Sequence, residues 1–332
     1  MSGIAVVYNT DNRPVDPGEM QRLADGLTQC GSDSAGAWVD GSIGLASAQF
    51  WSTQEDWGAE QPARDAEGRH IAMDGRLDNR TDLLHALGVR ANAASGWSDA
   101  QLVLRAYDRW AKRCVDHLVG PFVFAIWDPT RQCLFCARDA VGLRTFFYHY
   151  RDDRFAGATR LRRLVELPDV GTSINDDYVW DYLCTTCSGL LRPEQTPFRE
   201  VQRLPAGHTL YVSREGMQIE RYWRPWDLPP IRYRHDQEYA DRFRAIFTDV
   251  VQAQCRSVGA VGATLSGGLV SSTIVCVARD LERHGLIPAG SLHSYTLVWE
   301  QPGIAIDRDD RGFATDVAVS YTHLRAHETG RN

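Results

Sequence analysis

The residues best suited to chemistry in this 332-residue sequence are small and hydroxylic: Ser266, Gly267, Gly268, Ser271 and Ser272, in the stretch Leu265-Ser266-Gly267-Gly268-Leu269-Val270-Ser271-Ser272. Such a set is suited to holding phosphate. Two glycines let the backbone approach oxygen atoms that a Cβ would push away, and three hydroxyls are at hand to bond to them. The flanking elements supply the rest. An apolar run from Val261 to Leu265 reads as a buried strand, and Ile274, Val275, Val277, Ala278 and Leu281 recur at helical spacing just afterwards. A tight turn therefore delivers the chain into a helix whose free N–H groups and positive dipole end face any anion in the turn. No Gly-Lys-Ser/Thr follows, so this is not a Walker A loop, and the spacing is not Gly-x-Gly-x-x-Gly. The competing reading is an ordinary Gly/Ser turn before a helix.

Composition narrows the classes. Apolar residues make up 43% and charged residues 24%, ordinary values for a globular chain of about two domains. A net charge of −7 gives no global basic field to attract nucleic acid or anionic lipid, so neither is expected as a partner. No apolar stretch reaches the roughly 18–20 residues needed to cross a bilayer, and the N-terminus lacks the regions of a signal peptide, which makes the cytoplasm the expected location. Eight cysteines without a secretory signal read as reduced thiols. Two Cys-x-x-C pairs, Cys133/Cys136 and Cys184/Cys187, have zinc-like spacing. The first lies in a strand-like run, however, where residues three apart point to opposite faces. No metal site is expected there, and the thiols read as small buried hydrophobes.

The first half alternates short strands with a few helices. Residues 3–8 form a β-type run and residues 20–27 a helix. Ser98 and Gln101 make a Ser-x-x-Gln capping box, ahead of Leu102, Val103, Ala106, Tyr107 and Trp110 on one helical face. Residues 122–127 are apolar throughout, as in a strand covered on both sides. Residues 133–138 and 145–150 read as its antiparallel neighbours, joined by turns at Asp128-Pro129 and Val141-Gly142. The cluster from Phe146 to Tyr150 reads as packing. A helix from residue 176 and a strand pair at 207–212 and 220–223 complete an α+β layered sandwich. Pro225, Pro229 and Pro230 then mark a linker. A helix over 236–257, the phosphate loop, its helix and a strand at 292–299 open an α/β parallel sheet.

The phosphate loop resembles the PP-loop, Ser-Gly-Gly-x-Asp-Ser-Ser, of ATP pyrophosphatases, with Val270 where that family carries aspartate. Further motifs accompany it in order: Met1-Ser2-Gly3-Ile4, Asp74-Gly75-Arg76-Leu77-Asp78-Asn79-Arg80, Gly120-Pro121-Phe122, Ala137-Arg138-Asp139-Ala140-Val141-Gly142 and Arg203-Leu204-Pro205-Ala206-Gly207-His208. Together they resemble the asparagine synthetase family from Met1 to about Asp316. The resemblance implies an Ntn-hydrolase-like αββα glutamine amidotransferase domain over 1–223, a linker over 224–235, and a partial ATP-binding domain over 236–319. It implies ATP and Mg2+ as cofactors and adenylation of a carboxylate for attack by a nitrogen nucleophile. ATP phosphates are assigned to Ser266, Gly267, Gly268, Ser271 and Ser272, and the adenine to Leu265 and Val298, which read equally well as plain sheet core. The aspartate replaced by Val270 is the group that helps to hold magnesium, and a valine offers no oxygen to a hard cation.

The amidotransferase half departs from the family at its chemistry. Ser2 replaces the N-terminal cysteine nucleophile. Asp74, beside Gly75, replaces an asparagine that donates to the oxyanion, where a carboxylate would repel developing charge. No arginine lies between Val39 and Ala63 to clamp a glutamine carboxylate, while Asp99, which would receive the glutamine amine, is retained. Family members without the cysteine include β-lactam synthetase and lasso-peptide macrocyclases, and the segments at 74–80 and 294–299 look most like the latter. The expected function is glutamine-independent ligation of a small-molecule or peptide carboxylate, with a precursor peptide as a partner. A glutamine-hydrolysing asparagine synthetase and a nucleotide-binding pseudoenzyme remain as alternatives. The family's acidic Ser-Gly-x-Gly-x-Asp-Glu motif is absent, and residues 320–332 read as a non-native tail on a truncated frame, or else as a polar terminus.

Overall fold

A computed structural model describes residues 2–29, 31, 33–94, 96–185, 192–297, 311–320 and 326–329. The chain divides into two compact units. The first comprises Met1–Trp51 and Glu55–Pro229, and the second Ser52–Gln54 with Pro230–Asn332.

Unit one carries the strands β1 (Gly3–Asn9), β2 (Ser34–Asp40), β3 (Ile43–Gln49), β4 (Ala63–Arg64), β5 (His70–Gly75), β6 (Phe122–Asp128), β7 (Cys133–Arg138), β8 (Phe147–Arg151), β9 (Arg154–Ala158), β10 (Gln202–Arg203), β11 (His208–Ser213) and β12 (Gly216–Arg221). Its helices are α1 (Pro17–Leu27), α2 (Arg80–Ala86), α3 (Asp99–Trp110), α4 (Leu161–Val165) and α5 (Asp176–Thr185). The strands form two six-stranded antiparallel sheets, in the orders β10-β8-β9-β1-β3-β2 and β12-β11-β7-β6-β5-β4.

Period-two alternation explains the layering. In β1, Ile4, Val6 and Tyr8 join Ala72, Val123, Ala125 and Leu210 in a core between the sheets. Ala5 and Val7 turn the other way, onto Met20, Leu23 and Leu27 of α1 and Leu164 of α4. Phe122, Phe124 and Ile126 of β6 likewise turn outward, under Leu102, Val103, Ala106 and Tyr107 of α3. Four layers result, helix, sheet, sheet, helix, and every residue of β1, β3, β6 and β7 is buried. The capping box at α3 forms as expected, with Ser98 Oγ accepting from Gln101 N and Gln101 Oε1 accepting from Ser98 N.

One pairing differs from expectation. The segment after Thr145 is not a neighbour of β6: β8 lies in the other sheet, between β9 and β10, and β6 is flanked by β5 and β7. The turn at residues 139–144 carries the chain across. Asp139 accepts from the backbone of Val141, Leu143 and Arg144, and Arg138 donates to the carbonyls of Gly142, Arg144 and Leu204. Both side chains hold the crossover in place. Cys133 and Cys136 are buried on opposite faces of β7, and the described residues contain no cluster of metal-ligating side chains. Cys187 lies outside the described residues.

Unit two has α6 (Asp236–Gln254), β13 (Val261–Thr264), α7 (Leu269–Arg283), β14 (Leu292–Leu297), α8 (Arg311–Ser320) and β15 (Ala326–Thr329). Its sheet is parallel, in the order β13-β14-β15. Ala263 and Leu292 meet α6 and α7, and Leu265 packs with Val275, Ala314 and Ala318, so one face is covered. The other presents Gly262, Thr264, Tyr295 and Leu297 to solvent. The strand before the loop is thus half covered rather than buried. Glu282, itself buried, caps the turn into β14 by accepting from the backbone of Gly290 and Ser291. No helix among the described residues is long and apolar enough to cross a membrane.

Candidate functional site

Two places hold the residues singled out by chemistry, one in each unit. In unit one, Ser2 continues the parity of Ile4, Val6 and Tyr8, and Asp74 continues that of Ala72, so both belong to the inter-sheet side. Ser2 Oγ accepts from Phe50 N at 2.9 Å and lies 3.5 Å from Phe50 O, which ties it to the chain leaving β3. That segment is fixed in turn, with Trp51 N donating to Asp33 Oδ2 at 2.9 Å and the Trp51 indole donating to Ala59 O at 3.3 Å.

Asp74 is 5% exposed, and its Oδ1 faces Arg144 Nε across 3.8 Å. Neither atom makes a hydrogen bond among the described residues. Burial raises the Asp74 carboxyl from its ordinary 3.8 to about 6, with Arg144 and Arg160 pulling it down only in part. A carboxyl held this way is half protonated near pH 6. Gly75, next along, sits at φ +140, and a Cβ there would meet Pro121 O at 2.1 Å. Glycine is demanded by the close approach of the chain entering β6, which is a structural role.

Asp99 is 1% exposed at the first turn of α3. Its Oδ2 accepts from Leu77 N at 2.8 Å and its Oδ1 from the Arg80 guanidinium. Arg80 also donates to Trp97 O at 2.8 Å and lies 3.6 Å from Glu55, while Asp99 N donates to Asp56 Oδ1 at 3.0 Å. The carboxylate therefore already carries a resident cation. Arg80 and Arg144 are the two cationic partners of Asp99 and Asp74 that sequence reasoning did not pair with them. Arg80 stood within a quoted motif, but no spacing rule pairs it with a carboxylate 19 positions away.

In unit two, the loop between β13 and α7 is organised by its own hydroxyls. Ser266 Oγ and Ser271 Oγ lie 3.0 Å apart, Ser266 N donates to Ser271 Oγ at 3.2 Å, and Gly268 N donates to Ser266 Oγ at 3.4 Å. Gly267 has φ +77, and a Cβ there would run into Phe313 Cβ at 2.2 Å, so the loop apex abuts the first turn of α8. Ser272 Oγ, in the first turn of α7, is buried without a hydrogen-bond partner among the described residues. These features fit a phosphate: a glycine cradle, a helix N-terminus, and a hydroxyl with unused capacity. Leu265 is 1% exposed within the core, and Val298 lies outside the described residues. Leu269 and Val270 are 90% and 73% exposed at the loop mouth, beside an apolar cavity of about 810 Å3 walled by Phe247, Val250, Val251 and Ile274.

Residues 1–223 match the family model for a glutamine amidotransferase domain, and residues 242–329 match that for asparagine synthase. Asparagine synthetase [glutamine-hydrolyzing] 3 of Bacillus subtilis (strain 168) is 29% identical over 292 residues, covering 85% of this chain and 45% of that protein. Amidase chyE of Penicillium rubens is 26% identical over 277 residues, covering 80% of this chain and 39% of its own. The chain thus spans less than half the length of these relatives. Among solved structures, the glutamine phosphoribosylpyrophosphate amidotransferase of B. subtilis aligns with a TM-score of 0.46 and 13% identity, over 99% of this chain and 81% of that one.

Proposed function

Since the chain belongs to the asparagine synthetase family, with a glutamine amidotransferase domain followed by an asparagine synthase region, we propose that it serves ATP-dependent amide-bond formation without using glutamine. The reaction class is adenylation of a carboxylate and attack by an amine. The carboxylate belongs to a small molecule or a peptide, and the amine comes from the acceptor itself, as in the lasso-peptide cyclases that the sequence resembles. ATP phosphates would rest on the loop from Ser266 to Ser272, and bound ATP supplies the leaving pyrophosphate. The protein's part is to orient the phosphates through backbone N–H groups and hydroxyls.

One observation supports the glutamine-independent part: Asp99 is bonded to Arg80 and to Leu77 N, so an incoming α-amine would meet a carboxylate whose charge a buried guanidinium already balances. The remaining groups point the same way. Ser2 Oγ is engaged by Phe50, and ionised Asp74 would oppose an oxyanion. The test is incubation with glutamine, followed by measurement of free glutamate. None above the buffer rate is expected. Glutamate release that Ser2→Ala abolishes would overturn the proposal in favour of a glutamine-hydrolysing synthetase, the activity named for the B. subtilis relative.

A further inference from the structure

We infer that the cavity beside the loop between β13 and α7 receives the organic part of the carboxylate substrate, and that this part is apolar, an aliphatic or aromatic acyl group. The inference rests on the adenylation reading above and names its substrate class. In that reaction a carboxylate oxygen bonds to the α-phosphorus of ATP while pyrophosphate leaves, so the acyl carbon ends one oxygen away from a phosphate. Whatever holds the phosphates therefore fixes where the acyl group begins. Ser266, Gly268 and Ser271 of the loop also line the cavity of about 810 Å3, so the phosphate cradle and the cavity share a wall. A space of that size takes a small molecule or the side chains of a short peptide.

The walls set the chemistry of what enters. α6 contributes Phe247, Val250 and Val251, α7 contributes Ile274, and Leu269 and Val270 lead from the loop into the space. Leu269, Val270 and Val250 are exposed, so a ligand that covers them takes apolar surface out of water. The apolar surface continues along α6 to Ile246 and to Phe243, whose ring centroid lies 5.7 Å from that of Phe247. A hydrocarbon chain or ring gains from such walls along its whole length. Adenine gains less, because its ring nitrogens and amino group need hydrogen-bond partners that these hydrocarbon side chains do not offer. An acyl group that carried a further carboxylate or an ammonium against them would lose hydration without recompense. The occupant these walls favour is therefore the apolar end of the acid, with its carboxylate at the loop.

Titration calorimetry of the whole chain with sulfamoyl adenosine, an unreactive stand-in for the adenylate, reads the cavity through the acyl group attached to it. The probes are ATP, the unacylated compound, and its octanoyl, phenylpropanoyl and succinyl derivatives. The octanoyl and phenylpropanoyl forms should bind about tenfold or more tighter than the unacylated compound, the gain expected from burying a few methylene groups, and the succinyl form, which adds a charge, should gain nothing. Val250→Glu, at an exposed part of the wall, should bring the ratio of octanoyl to unacylated affinity close to one, whereas Val250→Leu should keep it. An unaltered unfolding temperature verifies that both variants are folded. An octanoyl form that gains nothing, or a succinyl form that gains as much, would overturn the acyl inference, and binding of the unacylated compound would leave the nucleotide reading standing. Weakening of the unacylated compound itself by about tenfold in Val250→Glu would assign the cavity to the nucleoside and overturn the inference in the same way. Binding of neither ATP nor any sulfamoyl compound would overturn both.

Discussion

Asp74 shows how burial resets the charge of one side chain. Its carboxyl titrates near 6 in the folded chain, because burial disfavours the anion more than Arg144 and Arg160 favour it. The folded state thus binds the proton more tightly than the unfolded state, whose value is near the ordinary 3.8. The sign follows: ionised Asp74 burdens the fold above pH 6, on the order of 2–3 kcal/mol, and the burden vanishes below about pH 4, where both states are protonated. Asp74→Asn is therefore expected to be more stable than the parent at about pH 7.5, with the gain shrinking as pH falls from 6 towards 4. Urea denaturation of the two proteins across that range checks it, and a gain independent of pH would assign the effect to packing. At this scale the sequence disclosed identities and not partnerships. Ser2, Asp74 and Val270 are legible by their type alone as departures from the family's motifs. That Arg80 sits on Asp99, and that Arg144 faces Asp74 without touching it, depends on contacts between segments 19 and 70 positions apart.

At the scale of elements, what was legible is what local physics decides. The box of Ser98 and Gln101 starts α3 where expected, and the uninterrupted apolar run of β6 is covered on both faces. What escaped was the choice of sheet for β8. Its alternation fits either sheet equally, and the choice is made by the crossover that Asp139 and Arg138 brace through five backbone groups of the turn itself and one distant carbonyl, that of Leu204. Two substitutions test element-level claims. Ser98→Ala removes a buried cap and should cost about 1 kcal/mol in equilibrium denaturation. Gly267→Ala places a methyl where Phe313 already stands, at a positive φ. It should lower the stability of unit two by about 1–3 kcal/mol and weaken pyrophosphate binding, as measured by calorimetry.

The whole molecule joins two bodies of unequal solidity. Unit one has three stacked cores closed between four layers. Among its described residues, unit two has two small clusters and a parallel sheet with Gly262, Thr264, Tyr295 and Leu297 exposed on one face, an arrangement rare for parallel strands. Heating should therefore give two transitions, unit two melting first, and pyrophosphate should shift only the earlier one. A single cooperative transition in scanning calorimetry would contradict this. The distribution of cysteines makes the same asymmetry visible chemically. Cys114, Cys133 and Cys136 are buried within unit one and their thiols are pushed up by desolvation, Cys255 and Cys276 lie in unit two, and Cys184 is exposed. An alkylating reagent thus becomes a clock with separate hands. Among the six described cysteines, Cys184 reacts at once, the half-buried Cys276 next, Cys255 as unit two opens, and the three sandwich thiols only when the sheets part, so peptide mass mapping over time would time the release of each core.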